Sequence, residues 1–403
     1  MNKQGCAADE GRMQTQLHRS IHAVDRDAWD HLNPSRYPGL LHGFLSALED
    51  SGSIGEGTGW RALYATCSDA TGLCAAMACF FKTDSYGEYV FDWAWADAYH
   101  RHGLEYYPKC ITAVPFTPAT GPRILIRKDV DQQAVSAHLI NSVLDELKTR
   151  VSSWHILFPD EESTSRFQDQ GDWIERHGVQ FHWFNQHFAN FDAHLATFNS
   201  KRRKEARRER RRVAEQGITF ERLSGAELDE AALESLFQCY QMTYRVRGSR
   251  GYLTRAFFEL AAQRIPDSLL VAFALHAGRR IAMSLCLRDH TTLYGRYWGA
   301  LYDVDCLHFE TCFHQWIEYA IEHGITRFDP GAQGEHKIAR GFQPVKTRSL
   351  HWIGEPEFAR AIGEFVTRER AHVGQYFAAC DEATPFKALE DPLNSDTGKT
   401  PLE

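Results

Sequence analysis

The densest group of residues able to do chemistry lies at 326–342, TRFDPGAQGEHKIARGF. Asp329, Glu335, His336, Lys337 and Arg340 stand there among three glycines and a proline. Acyl transfer to an amine needs a group that takes the amine proton, donors that stabilise the oxyanion, and a surface that holds the donor carrier. Asp329, Glu335 and His336 can supply the first. Lys337, Arg340 and the amides of Gly331 and Gly334 can supply the second, because glycine lets a backbone approach a substrate closely. Gln333 is a candidate substrate contact in the same stretch. The plainer alternative is a salt-linked loop that only closes the fold.

Further candidates precede this stretch. His308 and Glu310 open an amphipathic helix, where His308 is a possible base and Glu310 a substrate contact; a carboxylate there also suits the helix N-terminus electrostatically. Alternation along 292–300 sends Tyr294, Arg296 and Trp298 to one face and Gly295 and Tyr297 to the other. Arg296 is then a candidate anion binder. In the first half, FDWAWADAYHRHGLEYYPK (91–109) is rich in aromatics. Asp92, Trp95 and Asp97, with Tyr99, either floor an acceptor pocket or belong to the core. Asn185 and His187 carry a weaker case.

Charge is distributed unevenly. The chain has 403 residues and a formal net charge of -8, yet residues 201–212, KRRKEARRERRR, hold nine basic and two acidic residues. The remainder is strongly acidic, so this block invites a local polyanion rather than general nucleic-acid coating. Lys201, Arg202, Arg203, Lys204, Arg207, Arg208, Arg211 and Arg212 are the candidate phosphate contacts, since Lys and Arg contacts to phosphate dominate nucleic-acid affinity. The residue types favour helix, with Glu205 in reach of Lys201 and Arg208, Glu209 in reach of Arg212, and Gly217 as a C-cap.

These residues need a frame, and the pattern supplies an α+β one, with mainly antiparallel sheets and flanking helices. Residues 62–67 and 73–82 read as a hairpin, 130–149 as a helix, and 154–160 and 173–184 as strand-bearing segments. YYPKCITAVPFTPATGPRIL (106–125) has four prolines; it reads as stiff, irregular and packed against a groove or neighbouring domain. The second half reads as strand 218–223, helices 226–246 and 254–264, three strands in 268–300, helix 308–324, strands from 326 and at 347–353, and helix 355–380. The expected organisation is a disordered lead-in at 1–15, a first domain at 16–190, a basic connecting helix at 191–217, a second domain at 218–353, and a helix with a frayed tail at 354–403.

The order strand, two helices, three antiparallel strands, helix, strand, strand resembles the GNAT N-acyltransferase fold. Two such halves joined by a basic helix resemble the Fem-type transferases. The segments 106–125, LYGRYWGA, LHFETCFHQWIEYAIEHGITRFDPGAQGEHKIARGFQPVKTRSLHW and the basic block are similar to a bacterial family of predicted N-acyltransferases related to Fem proteins, over roughly residues 40–380. The resemblance implies two tandem GNAT-like domains. It also implies transfer of an aminoacyl group from aminoacyl-tRNA to an amine, in a peptidoglycan precursor or another small-molecule or peptide acceptor.

The alternatives differ in the donor. Acyl-CoA enzymes of this fold hold the pyrophosphate on a glycine-rich turn at a helix N-terminus. ALYDVDCLHFE (300–310) offers no glycine and the acids Asp303, Asp305 and Glu310, so aminoacyl-tRNA is favoured over acyl-CoA. A non-catalytic RNA-binding or scaffold protein is the other reading. No HExxH motif or paired Cys/His spacing occurs, so no metal and no tightly bound cofactor are expected. Ten cysteines without a CxxC pair, no export signal and no long apolar run lead to the expectation of a cytoplasmic protein without a transmembrane segment.

Overall fold

The computed structural model describes residues 13–246, 248–332 and 334–387. Of the sequence expectations, Gln333, most of the lead-in and the frayed end of the tail lie outside these residues.

Thirteen strands among the described residues join in one sheet. In chain order they are β1 (Gln14–His18), β2 (Trp60–Asp69), β3 (Gly72–Lys82), β4 (Lys109–Thr112), β5 (Leu125–Ile126), β6 (Ser153–Leu157), β7 (Ile174–Phe184), β8 (Ile218–Ser224), β9 (Leu269–His276), β10 (Arg279–Arg288), β11 (Thr292–Ala300), β12 (Arg327–Asp329) and β13 (Gln343–Ile353). Their spatial order is β1-β2-β3-β4-β6-β13-β7-β12-β11-β10-β9-β8, with β5 beside β3. The expected hairpins β2/β3 and β9/β10 are present. β1 begins at Gln14, inside the stretch read as a lead-in, and pairs Leu17 with Ala65.

Two contacts in this sheet are parallel, β4 with β6 and β11 with β12. A parallel pair needs a crossover. Gln132–Leu147 supplies one helix, burying Val135, Leu139, Ile140 and Val143 on one face. The other crossover runs through 307–322. It was expected as one helix, but a π turn at Glu310–His314 interrupts it before Gln315–Glu322. Such turns often mark functional sites.

β7 joins the halves. Its residues 174–182 pair with β13, while Trp183 and Phe184 pair with β12. β13 lies between β6 and β7, so the last strand among the described residues completes the sheet formed by the first half. The proline-rich 106–125 segment is mostly buried and packs across the junction, with Phe116 stacked on Tyr252 at 4.8 Å. Pro356–Glu382 forms the final helix, which lies against β7 and β13. No helix among the described residues is long and apolar enough to cross a membrane.

Candidate functional site

The site begins where β11 and β12 part. Their pairing ends at Tyr294–Asp329. Pro330 follows, has no backbone N–H to continue the ladder, and beyond it β11 runs on to Ala300 beside β10 without β12. Across from it, Leu285 pairs with Tyr297 and Cys286 with Gly295, so Arg296 is the extra residue of a β-bulge. The bulge corrects the simple alternation. Tyr294 and Tyr297 both pack on the large central core, while Trp298 goes to the other face with Val304 and Cys306. Tyr294 donates to Asp289 Oδ2 at 2.7 Å and is a core residue, not a cleft residue.

The bulge leaves Arg296 in an unusual position. Its guanidinium lies 5.6 Å from the Tyr89 ring and 5.1 Å from the Tyr297 ring. Buried Nε and Nη2 have no hydrogen-bond partner among the described residues. Unmet buried donors are costly, and an anionic ligand group would satisfy them.

Beyond Pro330 the chain turns through Gly331 (φ +84°) and Gly334 (φ +110°), a backbone region that side chains other than glycine rarely adopt. Asp329 Oδ1 accepts from Gly331 N at 2.9 Å and lies 3.5 Å from His182 Nε2. Lys337 is buried and donates to Gly331 O at 2.7 Å. Burial, only partly opposed by Asp329, lowers its pKa to about 8. His336 faces Phe309 and Phe313, and its ring centre is 6.0 Å from that of His308. Trp298 meets His308 edge-on at 5.3 Å. Burial, with the positive charge of Arg340 and Lys337 and with His336 nearby, takes His308 down to about 4; burial, then Lys337 and Arg340, lowers His336 also. Both imidazoles are therefore neutral near pH 7 and able to accept a proton.

Arg340 has a different place from the one expected. Its Nε and Nη2 grip both carboxylate oxygens of Glu209, Nη1 donates to His336 O at 2.6 Å, and the guanidinium lies over Phe309. It ties the glycine-rich loop to the basic helix and has no free fork to offer a substrate. Glu310 is buried against Arg210 and Gln315, which fixes the π turn. Glu335 accepts from Tyr376 of the final helix at 2.9 Å.

The aromatic candidates of the first half do not join this group. Asp92 is buried on Lys109, Trp95 belongs to a small core with Tyr99, Tyr106, Ile353, Ile362 and Val366, and exposed Asp97 pairs with Arg101 one helical turn away. Asn185 donates to Ile325 O and joins β7 to the second half. His187 adopts a left-handed backbone (φ +58°) just after β7.

Two cavities border this group. A larger one of about 670 Å³ lies between β7, β13, residues 89–91, Ala332, residues 334–336 and Tyr376. Arg176, His177 and Arg348 line it, and the sequence reading missed all three. Alternation would send the neighbours Arg176 and His177 to opposite faces of β7, and only the pairing of β7 with distant β13 sets Arg348 opposite His177. A second cavity of about 580 Å³ is lined by Thr243, Trp298, 300–307, His308 and Phe309. His308 and Phe309 of the second cavity touch His336 of the first.

The basic helix, Ser200–Glu215, is tied to the rim of the second cavity by the ion pair of Arg212 with Asp305. It buries Ala206, Glu209 and Val213 and exposes most of its basic side chains. The expected pairing within it is corrected. Glu205 pairs with Arg202, and Glu209 turns inward to Arg340 and His314. Arg207, Arg211 and Arg212 pair with Asp192, Glu215 and Asp305, and Asp305 lines the second cavity. Among the described residues, Lys201, Arg203, Lys204 and Arg208 have no acidic partner within ion-pair distance.

Residues 20–388 match the FemAB-like family, whose description is peptidoglycan biosynthesis/recognition. Among solved structures, a domain described as the C-terminal part of a lysylphosphatidylglycerol synthetase from Agrobacterium fabrum superposes with a TM-score of 0.53 at 10% identity, covering 85% of this chain and 96% of that one. FemX superposes with a TM-score of 0.51 at 12% identity, covering 87% of this chain and 100% of that one. These likenesses establish a shared fold. No curated protein sequence matches the chain.

Proposed function

The chain belongs to the FemAB-like family and is an acyltransferase, and from that premise we propose that it moves an aminoacyl group from charged tRNA to an amine acceptor where its two cavities adjoin. The observation that carries this reading is the packing of His308 and Phe309 against His336, which sets a cavity tied to the basic helix through Asp305 and Arg212 next to a larger cavity between the halves. A donor and an acceptor could approach from opposite sides and meet there.

In this reading the ester end of the donor enters past Trp298 and His308, and the acceptor amine lies in the larger cavity near His336. A neutral imidazole, His336 or His308, takes a proton from the amine as its nitrogen attacks the ester carbonyl. Lys337, as an ammonium, and Arg296, with its unmet donors, stabilise the oxyanion that forms. Collapse breaks the ester C–O bond, and the leaving ribose oxygen receives the proton from the imidazolium. The products are an amide and uncharged tRNA. Asp329 orients the loop through Gly331 and His182 rather than acting on the substrate.

The preference for tRNA over acyl-CoA rests on charge. A CoA pyrophosphate at 300–310 would meet Asp303 and Asp305. Lys201, Arg203, Lys204 and Arg208 instead suit a polyphosphate backbone running along the helix towards that cavity. The reaction would then take place in the cytoplasm, where charged tRNA is made. The test is binding of charged tRNA across a salt series, with the wild type beside a variant carrying alanine at those four positions. Each lost phosphate contact should reduce the slope of log K against log salt by about 0.7–0.9. Unchanged affinity and slope in the variant, with CoA raising the melting temperature, would overturn the tRNA assignment.

A further inference from the structure

A second charged cluster lies wholly in the first half and takes no part in the reaction proposed above. Lys109, on β4, is fully buried. Its Nζ donates to Ser85 Oγ at 2.7 Å, to Glu88 Oε2 at 2.8 Å and to Asp92 Oδ2. All three partners are buried, and all three belong to the segment between β3 and the helix that starts at Trp93. That segment has no regular structure, yet its Tyr89, Val90 and Phe91 line the larger cavity. We propose that Lys109 is a positioning residue, a single ammonium that gathers Ser85, Glu88 and Asp92 and so fixes the wall of the acceptor cavity. The assignment of that cavity to the acceptor rests on the function proposed above; the clamp itself does not.

Two observations argue that the segment needs a clamp. Tyr89 sits at φ +64°, a left-handed conformation that a residue with a Cβ rarely adopts. Such a residue persists only where its surroundings over-determine it. Tyr89 also faces the guanidinium of Arg296, so its position bears on the reaction centre. Gly87 nearby has φ +79°, and a Cβ there would lie 2.7 Å from the Phe116 ring, so the segment is also seated tightly from below.

The same cluster reaches the opposite wall. Tyr106 donates to Asp92 Oδ2 at 2.6 Å and contacts His155 Nε2 at 3.1 Å. His155 Nδ1 lies 2.7 Å from His351 Nδ1, and His351 Nε2 lies 2.9 Å from Ser349 Oγ. Ser349 lines the larger cavity from β13. Burial keeps both histidines neutral, taking His155 down to about 3 and His351 well below its ordinary value. The Nδ1–Nδ1 contact then requires one Nδ1–H donor and one bare Nδ1 acceptor, so the two rings hold opposite tautomers. Both walls of the cavity are thus bonded to one hub.

The hub has two carboxylates for one ammonium, and Glu88 Oε1 and Asp92 Oδ1 have no partner among the described residues. Burial raises Glu88 to about 7 although Lys109 opposes it; Asp92 adds to the rise, and Lys82, Tyr106 and Tyr107 are the other titratable groups facing it. A carboxyl whose folded pKa lies above its ordinary 4.5 stabilises the folded segment most when protonated. That contribution fades as pH rises from about 4.5 to about 7.

The experiment is peptide-resolved hydrogen exchange without any substrate, corrected for intrinsic rates, on wild type, Glu88→Gln and Lys109→Met between pH 5 and pH 8. Wild-type protection of residues 83–92 should fall as pH rises towards 7, and Glu88→Gln should flatten that dependence. Lys109→Met should raise exchange of 83–92 by about tenfold or more, with β9–β11 unchanged. A folded Lys109→Met with wild-type exchange in 83–92 would overturn the clamp. If Lys109→Met does not fold, the Glu88→Gln profile decides alone, and a pH dependence equal to that of wild type would overturn the proposal. Failure of the acyl-transfer reading would leave these exchange results untouched.

Discussion

The two parallel strand pairs of this protein are built alike and filled differently. Beside β4 and β6 lie a buried ammonium with three side-chain partners and a neutral histidine of β6 bonded to a neutral histidine of β13. Beside β11 and β12 the second half holds an arginine whose donors are unmet among the described residues, a lysine bonded to the backbone carbonyls of Gly331 and Ala332, and two neutral histidines that border cavities. A network whose ammonium is fully engaged gives position. Groups left short of partners give chemistry, because a substrate can complete them. Like strand pairing therefore need not carry a like site.

This contrast can be broken by exchanging the kind of damage each half suffers. The largest expected effect on stability comes from Lys109→Ala, which leaves Glu88 and Asp92 buried without their counter-charge. Removing one partner of a buried ion pair costs about 3–5 kcal/mol, read as a lower midpoint in a denaturant titration. A loss below about 1 kcal/mol would mean that the first-half cluster is not the structural member of the two.

A smaller effect, confined to the second half, should appear in the pH profile. Lys337 must carry its proton to stabilise the oxyanion, and burial has lowered its pKa to about 8. The rate should therefore fall as pH rises through about 8. The acceptor amine itself gains nucleophilicity over the same range, so the comparison is with Lys337→Arg. Arginine keeps its charge, and the alkaline fall should move out of range in any active Lys337→Arg enzyme. A fall at the same pH in both proteins would assign it to another group.

The elements were legible in the sequence because local pattern decides them. β9 and β10 carry long, mainly apolar runs, Gln132–Leu147 has a clear helical stripe, and Gly217 follows the basic helix with φ +74°. The stretch 329–340 was legible as a concentration of ionisable groups beside glycine. What each group does was not. Arg340 takes Glu209, 131 residues away, and no helical spacing reveals that pair. The bulge at Arg296 breaks a period of two that sequence reading must assume to be uniform. Arg176 and Arg348 share a cavity only because β13 crosses to β7. Lys109 lay in a proline-rich stretch and had no local sign of its partners at 85, 88 and 92. In each case the deciding contact is long-range or depends on an irregular backbone.

The central claim is that the second half performs the transfer where the cavities adjoin, with Lys337 at the reacting carbonyl. Its most direct test is the single-turnover rate of ester loss from charged tRNA, in wild type and Lys337→Met, with tRNA affinity and melting temperature measured alongside. The expected result is a rate lower by about 10²–10³, the size of a lost oxyanion donor, with binding and folding close to wild type. A Lys337→Met protein that binds charged tRNA and releases its aminoacyl group at the wild-type rate would contradict the account.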